Sequence, residues 1–294
     1  MKQILILGGL ASDKSPQTPY AETLNQSMPS YHFTETRFDQ LVVKIAPDNF
    51  QIRDIQSNKD ISDYDLVILR GTIRKNSEMA YVTSRYLKQK HVQFFNDYSM
   101  YWPSSKLAQA VLFYESKAPF LATYYSQDTD QLRKLSEAEL DYPIIIKDNY
   151  GSHGLRNYLV NSNAQFSDVM GANSGLEFIS QKFCPNDYDY RILIMGGKKP
   201  LQIKRTRSTD THLNNTSQGG AAELVEDLPQ SIIQLAQQLA TELKMTTAGV
   251  DVLKDNGTGQ FYFLEINSQP QIISGAFMSE KQNELADLLN GLLQ

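Results

Sequence analysis

Asp251, Glu265 and Asn267 stand on two β-rich runs, Ala248 to Lys254 and Gln260 to Asn267, joined by Asp255-Asn256-Gly257-Thr258-Gly259. Asp, Asn and Gly between two such runs predict a β-hairpin. If all five turn residues form the loop, Lys254 pairs with Gln260 and Asp251 lies opposite Phe263. The strand period of two then puts Asp251, Glu265 and Asn267 on one face. Two carboxylates and an amide oxygen among apolar neighbours suit Mg²⁺, which takes few protein oxygens and fills its octahedron with phosphate oxygens and water. The arrangement depends on loop length, because a two-residue turn at Asn256-Gly257 shifts the register by one and sends Glu265 to the other face. A solvated polar strand face is the plain alternative.

Three further constellations carry chemistry. Pro143-Ile-Ile-Ile-Lys147, followed by Gly151-Ser152-His153-Gly154, puts a cation at a strand end before a glycine loop whose backbone N–H groups can approach an anion, a polyphosphate cradle. Gln181-Lys182-Phe183-Cys184 ends one strand and leads through Pro185-Asn186 to Asp189-Tyr190-Arg191 on the next. That link offers backbone groups to an adenine edge and Asp189 to a ribose hydroxyl; a surface ion pair of Asp189 with Arg191, worth little, is the plain alternative. Lys204, Arg205 and Arg207 end a strand before the polar loop Ser208 to Gly220 and suit charge developing on a transferred phosphoryl group. Taken singly, each motif is equally a turn or a solvated charge run. Gly-x-x-x-x-Gly-Lys-Ser/Thr, His-Glu-x-x-His and Gly-x-Ser-x-Gly are all absent from the sequence. His32, His91, His153 and His212 are scattered and read as surface or loop residues, although His153 falls inside the cradle.

The elements that must position these groups are α/β and α+β. Ile4 to Leu7, Leu66 to Leu69 and Val92 to Phe95 read as strands of a parallel, helix-covered sheet, with a crossover helix over Asn76 to Lys90. This is an open α/β, Rossmann-like unit, although Gly8-Gly9 lacks a dinucleotide fingerprint and reads as a tight turn. Trp102-Pro103-Ser104-Ser105 starts a helix with Lys106 in its first turn. Strands follow around Phe120 to Tyr125, Ile144 to Lys147, Tyr158 to Val160, Phe178 to Phe183, Tyr190 to Met195 and Pro200 to Thr206, with helices at Asp128 to Leu140, Pro229 to Leu243 and Glu280 to Leu293. The expected division is 1–95, 96–180 and 181–294.

With 294 residues, 41% hydrophobic and 21% charged, the chain has the composition of a soluble protein with a substantial core. A formal charge of -5 gives no drive toward nucleic acid or anionic membrane. The apolar run Ile4 to Leu7 is too short for a signal-peptide core, so the expected location is the cytoplasm. The single Cys184 cannot form an internal disulfide and reads as a buried small residue.

In this order the motifs resemble the ATP-grasp superfamily, in its ribosomal-protein glutamate ligase and glutathione synthetase branch, over roughly Asn96 to Gly275. The resemblance implies an ATP-grasp fold behind the open α/β domain, ATP as cofactor, and two Mg²⁺ ions, with Mn²⁺ as the alternative. By it, Lys106 and Lys147 contact phosphates, Gly151, Ser152 and Gly154 belong to a flap, and Gln181, Lys182 and Phe183 line the adenine site, with the backbone of Lys182 and Phe183 reading the base. Asp189 holds the ribose, Arg205 and Asn215 face the reacting phosphoryl group, and Asp251, Glu265 and Asn267 hold the metal. Lys182 stands where the family has glutamate, and Gln269 and Gln271 stand where it has serine and glycine beside Pro270. Arg70, Arg191 and Arg207 are candidates for the substrate side. The implied activity is ADP-forming carboxylate–amine ligation through an acyl phosphate, on small-molecule or peptide substrates, with a protein substrate and a homo-oligomer both left open. A small-molecule kinase on the same fold and a non-catalytic ATP sensor are the rivals.

Overall fold

The computed structural model describes residues 1–8, 20–71, 73–151, 154–197, 199–206 and 221–294. The first lobe comprises β1 (Lys2–Leu7), α1 (Tyr20–Ser27), β2 (Tyr31–Thr36), β3 (Leu41–Ala46), β4 (Asn49–Asp54), β5 (Leu66–Leu69), α2 (Ser77–Gln89) and β6 (Gln93–Phe95). Four of the strands form a parallel sheet in the order β2-β1-β5-β6, and β3 and β4 form a separate hairpin. Ile4 to Leu7 is apolar throughout because both faces are covered. Ile4 and Ile6 share a core with α1 and the C-terminal helix, while Leu5 and Leu7 pack with Ala80, Tyr86 and Leu87 of α2. The sequence pattern had missed α1, β2 and the β3–β4 hairpin. Only Ala21 and Leu24 of α1 are buried, and β2 buries only Tyr31 and Phe33, too little apolar signal to show a period.

The central lobe is built from α3 (Lys106–Glu115), β7 (Thr123–Tyr125), α4 (Thr129–Glu139), β8 (Ile144–Asp148), β9 (Asn157–Val160), α5 (Asn163–Ala172) and β10 (Phe178–Lys182). The antiparallel order β7-β10-β8-β9 places β8 inside the sheet. Ile144 and Ile146 pack with Leu132 of α4 and Phe166 of α5, so the alternation turns Ile145 and Lys147 to the opposite face. The strand expected from Phe120 begins only at Thr123, and Phe120 instead bridges Phe263. α5 escaped notice because Phe166 is its single buried residue. β10 runs through the expected 180/181 boundary and belongs whole to this sheet.

Next come β11 (Tyr188–Met195), β12 (Leu201–Thr206), β13 (Ala221–Val225), α6 (Gln230–Glu242), β14 (Thr247–Lys254), β15 (Phe261–Asn267) and α7 (Met278–Leu292). The strands make an antiparallel sheet ordered β13-β12-β11-β14-β15. Tyr190, Ile192 and Ile194 of β11, with Val250 and Val252 of β14, pack on Ile233, Ala236 and Leu239 of α6 and on Phe113 of α3. Period-two alternation therefore sends Asp189, Arg191 and Asp251 to the other face. α3 docks through Gln109, whose amide donates to Ile266 O at 3.1 Å and accepts from Ile266 N at 3.0 Å, extending the β15 edge as a strand would. Among the described residues no helix is long and apolar enough to cross a membrane.

Candidate active site

The sheet register sets Arg205 opposite Asp189, and Asp251 opposite both Arg191 and Glu265. Arg205 donates to both oxygens of Asp189, at 2.7 and 2.9 Å, and Arg191 donates to both oxygens of Asp251, at 2.7 Å each. Arg205 Nη2 also lies 3.2 Å from Asp251 Oδ2, which closes a buried array of two acids and two guanidinium groups across three strands. Burial opposes ionisation of Asp251, but Arg191 and Arg205 together hold its carboxyl below the usual range. Burial pushes Asp189 the other way, against the pull of Arg205. The expected pairing of Asp189 with Arg191 at the surface does not occur; each pairs across strands instead. Asp189, expected at a ribose, lines the cleft with both oxygens already accepting from Arg205, so only its remaining lone pairs face a ligand.

The hairpin reaches its expected geometry by an unexpected route. Lys254 pairs with Phe261 rather than Gln260, and Val252 rather than Asp251 lies opposite Phe263. That register alone would put Glu265 on the face away from Asp251. The register then shifts between Val252 and Asp251, leaving Leu264 without a partner, and Asp251 pairs directly with Glu265. A β-bulge, which re-aims a side chain by one position, thus does what loop length was expected to do. Asn267 lies opposite Gly249, and its Oδ1 accepts from Gln269 N at 2.8 Å.

Glu265, Asp251, Arg205 and Asp189 line one wall of a cleft of about 140 Å³ whose other wall is β8 and its following loop. Lys147 projects into it from β8, and Lys106 from the first turn of α3. Ser105 caps α3 by accepting from Ala108 N, and Asn149, next to β8, accepts from Leu107 N at 3.0 Å, which ties the two lysine-bearing elements together. Lys106 Nζ donates to Gly151 O at 2.6 Å. Burial, then the nearby Lys106 charge, push the Lys147 ammonium down to about 8, with Glu265 opposing. Asp148, which sequence reasoning passed over, anchors the loop: its carboxylate accepts from Tyr150 N at 2.9 Å and from Arg156 Nε at 2.5 Å. A Cβ on Gly151 would stand 2.9 Å from Asp148 Cβ and 3.1 Å from Leu155 O, so the loop's close return requires glycine there. Gly154 also lines the cleft; Ser152, His153, His212, Asn215 and Arg207 lie outside the described residues.

Deeper in, Leu121 and Ile145 share the cleft with Leu253 and the bulged Leu264, giving apolar walls suited to a planar base. Lys182 and Phe183 line the same end, on the link between β10 and β11, while buried Cys184 donates to Asp255. Gln181 pairs with Ile145 in the sheet register, its amide donates to Thr123 Oγ1 at 2.7 Å, and it borders a small adjoining cavity with Lys106, Lys147 and Leu264. Strand alternation would have found Ile145 and Leu253; Leu121 and Leu264 carry no local signal. Arg70 is buried at the seam between the first lobe and the loop after β15, donating to Pro270 O at 2.7 Å, and lines no part of the cleft.

The residues fit a polyphosphate. Among the described residues Lys147 has neither hydrogen-bond nor ion-pair partner, and a partly buried, uncompensated ammonium beside a second lysine calls for an anion. A divalent cation fits less completely. Glu265 makes no hydrogen bond or ion pair among the described residues and would hold the ion directly. Asp251 and Asn267 each have oxygens already accepting hydrogen bonds and would add only remaining lone pairs. Among the described residues no three His, Cys, Asp or Glu side chains converge, so phosphate oxygens and water would complete the shell.

Two α+β lobes closing on a lysine-lined cleft, behind an open α/β domain, define an ATP-grasp fold. Residues 104–291 match the family described as the RimK-like ATP-grasp domain, and the chain belongs to that family. A relative named probable alpha-L-glutamate ligase, from Halorhodospira halophila, is 31% identical over 147 residues, 49% of this chain and 47% of the relative. The chain thus spans about half the length of the curated relatives it matches. Among solved structures, the ATP-grasp ligase PsnB complexed with a phosphomimetic variant of its minimal precursor, Mg and ADP superposes with a TM-score of 0.73 at 12% identity, covering 100% of this chain and 99% of that one. A Chryseobacterium gregarium RiPP-associated ATP-grasp ligase in complex with ADP and a leader and core peptide gives 0.69 at 14% identity, covering 99% and 97%. At those identities the likeness is one of fold.

Proposed function

We propose that the protein is an ADP-forming carboxylate–amine ligase that uses MgATP to make an acyl phosphate. The observation that carries this reading is the cleft itself. Two lysines without carboxylate partners among the described residues face Glu265 and the Arg205–Asp189–Arg191–Asp251 array, so a polyphosphate fits on one side and an acceptor on the other. The relatives' names, and the ADP, Mg and peptides in the named complexes, support it.

In the first step a carboxylate oxygen bonds to the γ-phosphorus as the bond from that phosphorus to the β,γ-bridging oxygen breaks, giving ADP and an acyl phosphate. The amine nitrogen then adds to the acyl carbon, loses a proton to solvent and expels inorganic phosphate, leaving an amide. Lys106 and Lys147 hold phosphate oxygens by charge-assisted hydrogen bonds. Leu121, Ile145, Leu253 and Leu264 enclose the base, with the backbone of Lys182 and Phe183 at its edge. Arg205, fixed in orientation by Asp189, faces the phosphoryl group, so Asp189 positions the guanidinium rather than a ribose. Glu265, with Asp251 and Asn267, would hold Mg²⁺, which when bound neutralises charge on the transferring phosphate. In this reading Ser152 and Gly154 belong to the flap, Asn215 faces the reacting phosphoryl group with Arg205, and Arg207 stands on the substrate side.

The test is ADP release from MgATP with pooled amino acids and short peptides, with and without hydroxylamine, using Glu265→Ala as the blank. Carboxylate-dependent ADP with hydroxamate formation is expected. ADP release without hydroxamate would mean phosphoryl transfer to a hydroxyl, and release unchanged in Glu265→Ala would remove Glu265 from the metal site.

A further inference from the structure

The link between β10 and β11 is held from outside the cleft. Cys184 Sγ donates to Asp255 Oδ2 at 3.0 Å, and the carbonyl of the next link residue, Pro185, accepts from Asn256 N at 3.0 Å. Asp255 and Asn256 open the turn after β14 and line no part of the cleft. We infer that Asp255, acting through Cys184, fixes the register of the link backbone against the base and so sets a preference for a 6-amino purine over a 6-oxo purine, an assignment that rests on the ligase reading above. Asp255 is then a positioning residue for nucleotide selection.

The turn is closed around Asp255. Its Oδ1 accepts from Gly257 N and Thr258 N at 2.7 Å each, while its own N–H and C=O pair with Gln260 O and Gly259 N at 2.9 Å. Oδ2 is left for the link, and Cys184 takes it. Both partners keep the protonation that the bond needs. Burial, then the hydrogen bond and charge of Asp255, push the Cys184 thiol up to about 12, so it stays a donor. The bond from Cys184, then the N–H groups of Thr258 and Gly257, hold the Asp255 carboxyl down at about 2, so it stays a charged acceptor.

What this bond holds is the base site. Cys184 is 5% exposed and shares a small core with Leu121 and Leu253, against which Leu264 packs. Those three leucines are the walls assigned to the base, and Leu253 and Leu264 stand on the hairpin that carries Asp251 and Glu265. One turn therefore joins the edge of the base site to its walls and to the metal side. The link offers the base edge a main-chain carbonyl and a main-chain N–H. Adenine meets them with a 6-amino donor and an N1 acceptor, whereas hypoxanthine presents a 6-oxo acceptor and an N1–H donor. A link held in one register pairs with the first pattern and leaves the groups facing the second unpaired. Released from the turn, the link backbone can shift, and the discrimination fades.

Calorimetric titration of the full chain with MgADP and with MgIDP, the inosine analogue, tests this. The wild type should bind MgADP about tenfold or more tightly than MgIDP. Asp255→Ala and Cys184→Ala should each weaken MgADP about five- to tenfold and MgIDP less than about twofold, which narrows the ratio. Cys184→Ser keeps a donor toward Asp255 and should keep the wild-type ratio. Cys184→Ala leaves the turn intact and gives the same reading if Asp255→Ala does not fold. Because Cys184 is the single cysteine, the infrared S–H stretch reports the bond directly, and it should move to higher frequency in Asp255→Ala. An unmoved band, an equal loss for both nucleotides, or a change confined to melting temperature would overturn the inference, as would a wild type that binds the two nucleotides alike. Failure of the wild type to bind MgADP at all would defeat the ligase reading and this assignment with it, whereas tight MgADP binding with an unchanged ratio in the variants defeats the assignment alone.

Discussion

Lys147→Met should weaken MgADP binding about 30- to 150-fold, the loss of roughly 2–3 kcal/mol expected when a charged hydrogen bond to phosphate disappears. Lys147 makes no hydrogen bond or ion pair among the described residues, so little folding stability should go with it. The pH dependence has a definite sign. Phosphate needs the ammonium form, and the free protein holds Lys147 down at about 8. Affinity is therefore flat below that pH and falls as pH rises through it, by up to about tenfold per pH unit, because binding must then take up a proton. Calorimetric titration of MgADP between pH 6.5 and 9.5 checks both points. A steep profile that persists in Lys147→Met would assign the proton to another group.

Asn96→Ala should cost roughly 3–5 kcal/mol of folding stability. Asn96 is 2% exposed; its Nδ2 donates to Thr247 O and Ser268 O at 2.9 Å each, and its Oδ1 accepts from Thr247 N at 2.9 Å. One side chain thus joins the end of β6 to the start of β14 and to the loop after β15. Alanine would strand two carbonyls and an N–H in the interior, at about 1–3 kcal/mol for each group left unpaired. Urea denaturation of the variant measures the loss, and a change under about 1 kcal/mol would mean that water enters and satisfies those groups.

These two residues also mark how far the sequence could be read. Lys147 was visible because a strand period, a terminal cation and a glycine loop are all local features. Lys106 and its Ser105 cap were visible for the same reason. Asn96 was not, because its importance lies in partners more than a hundred residues away, and an isolated asparagine carries no sign of them. Gln109 escaped in the same way, its partner Ile266 lying 157 residues away. That Asp251 and Glu265 share a face was inferred with the right outcome and the wrong cause, since Asp251 was expected opposite Phe263: the bulge at Leu264 depends on how β14 packs between β11 and β15, which no turn residue announces. The charged array shows a similar limit. Period-two alternation places Asp189 and Arg191 on one face, but only the register with β12 and β14 decides that they bond to Arg205 and Asp251 instead of to one another.

The central claim is that a carboxylate of the substrate attacks the γ-phosphorus of ATP. It is tested most directly by running the reaction with a substrate labelled with ¹⁸O in its carboxyl group and examining the released phosphate by ³¹P NMR. Acyl-phosphate ligation predicts one ¹⁸O atom transferred to each inorganic phosphate, with ADP as the other product. Unlabelled phosphate, or label appearing in AMP with release of pyrophosphate, would contradict it.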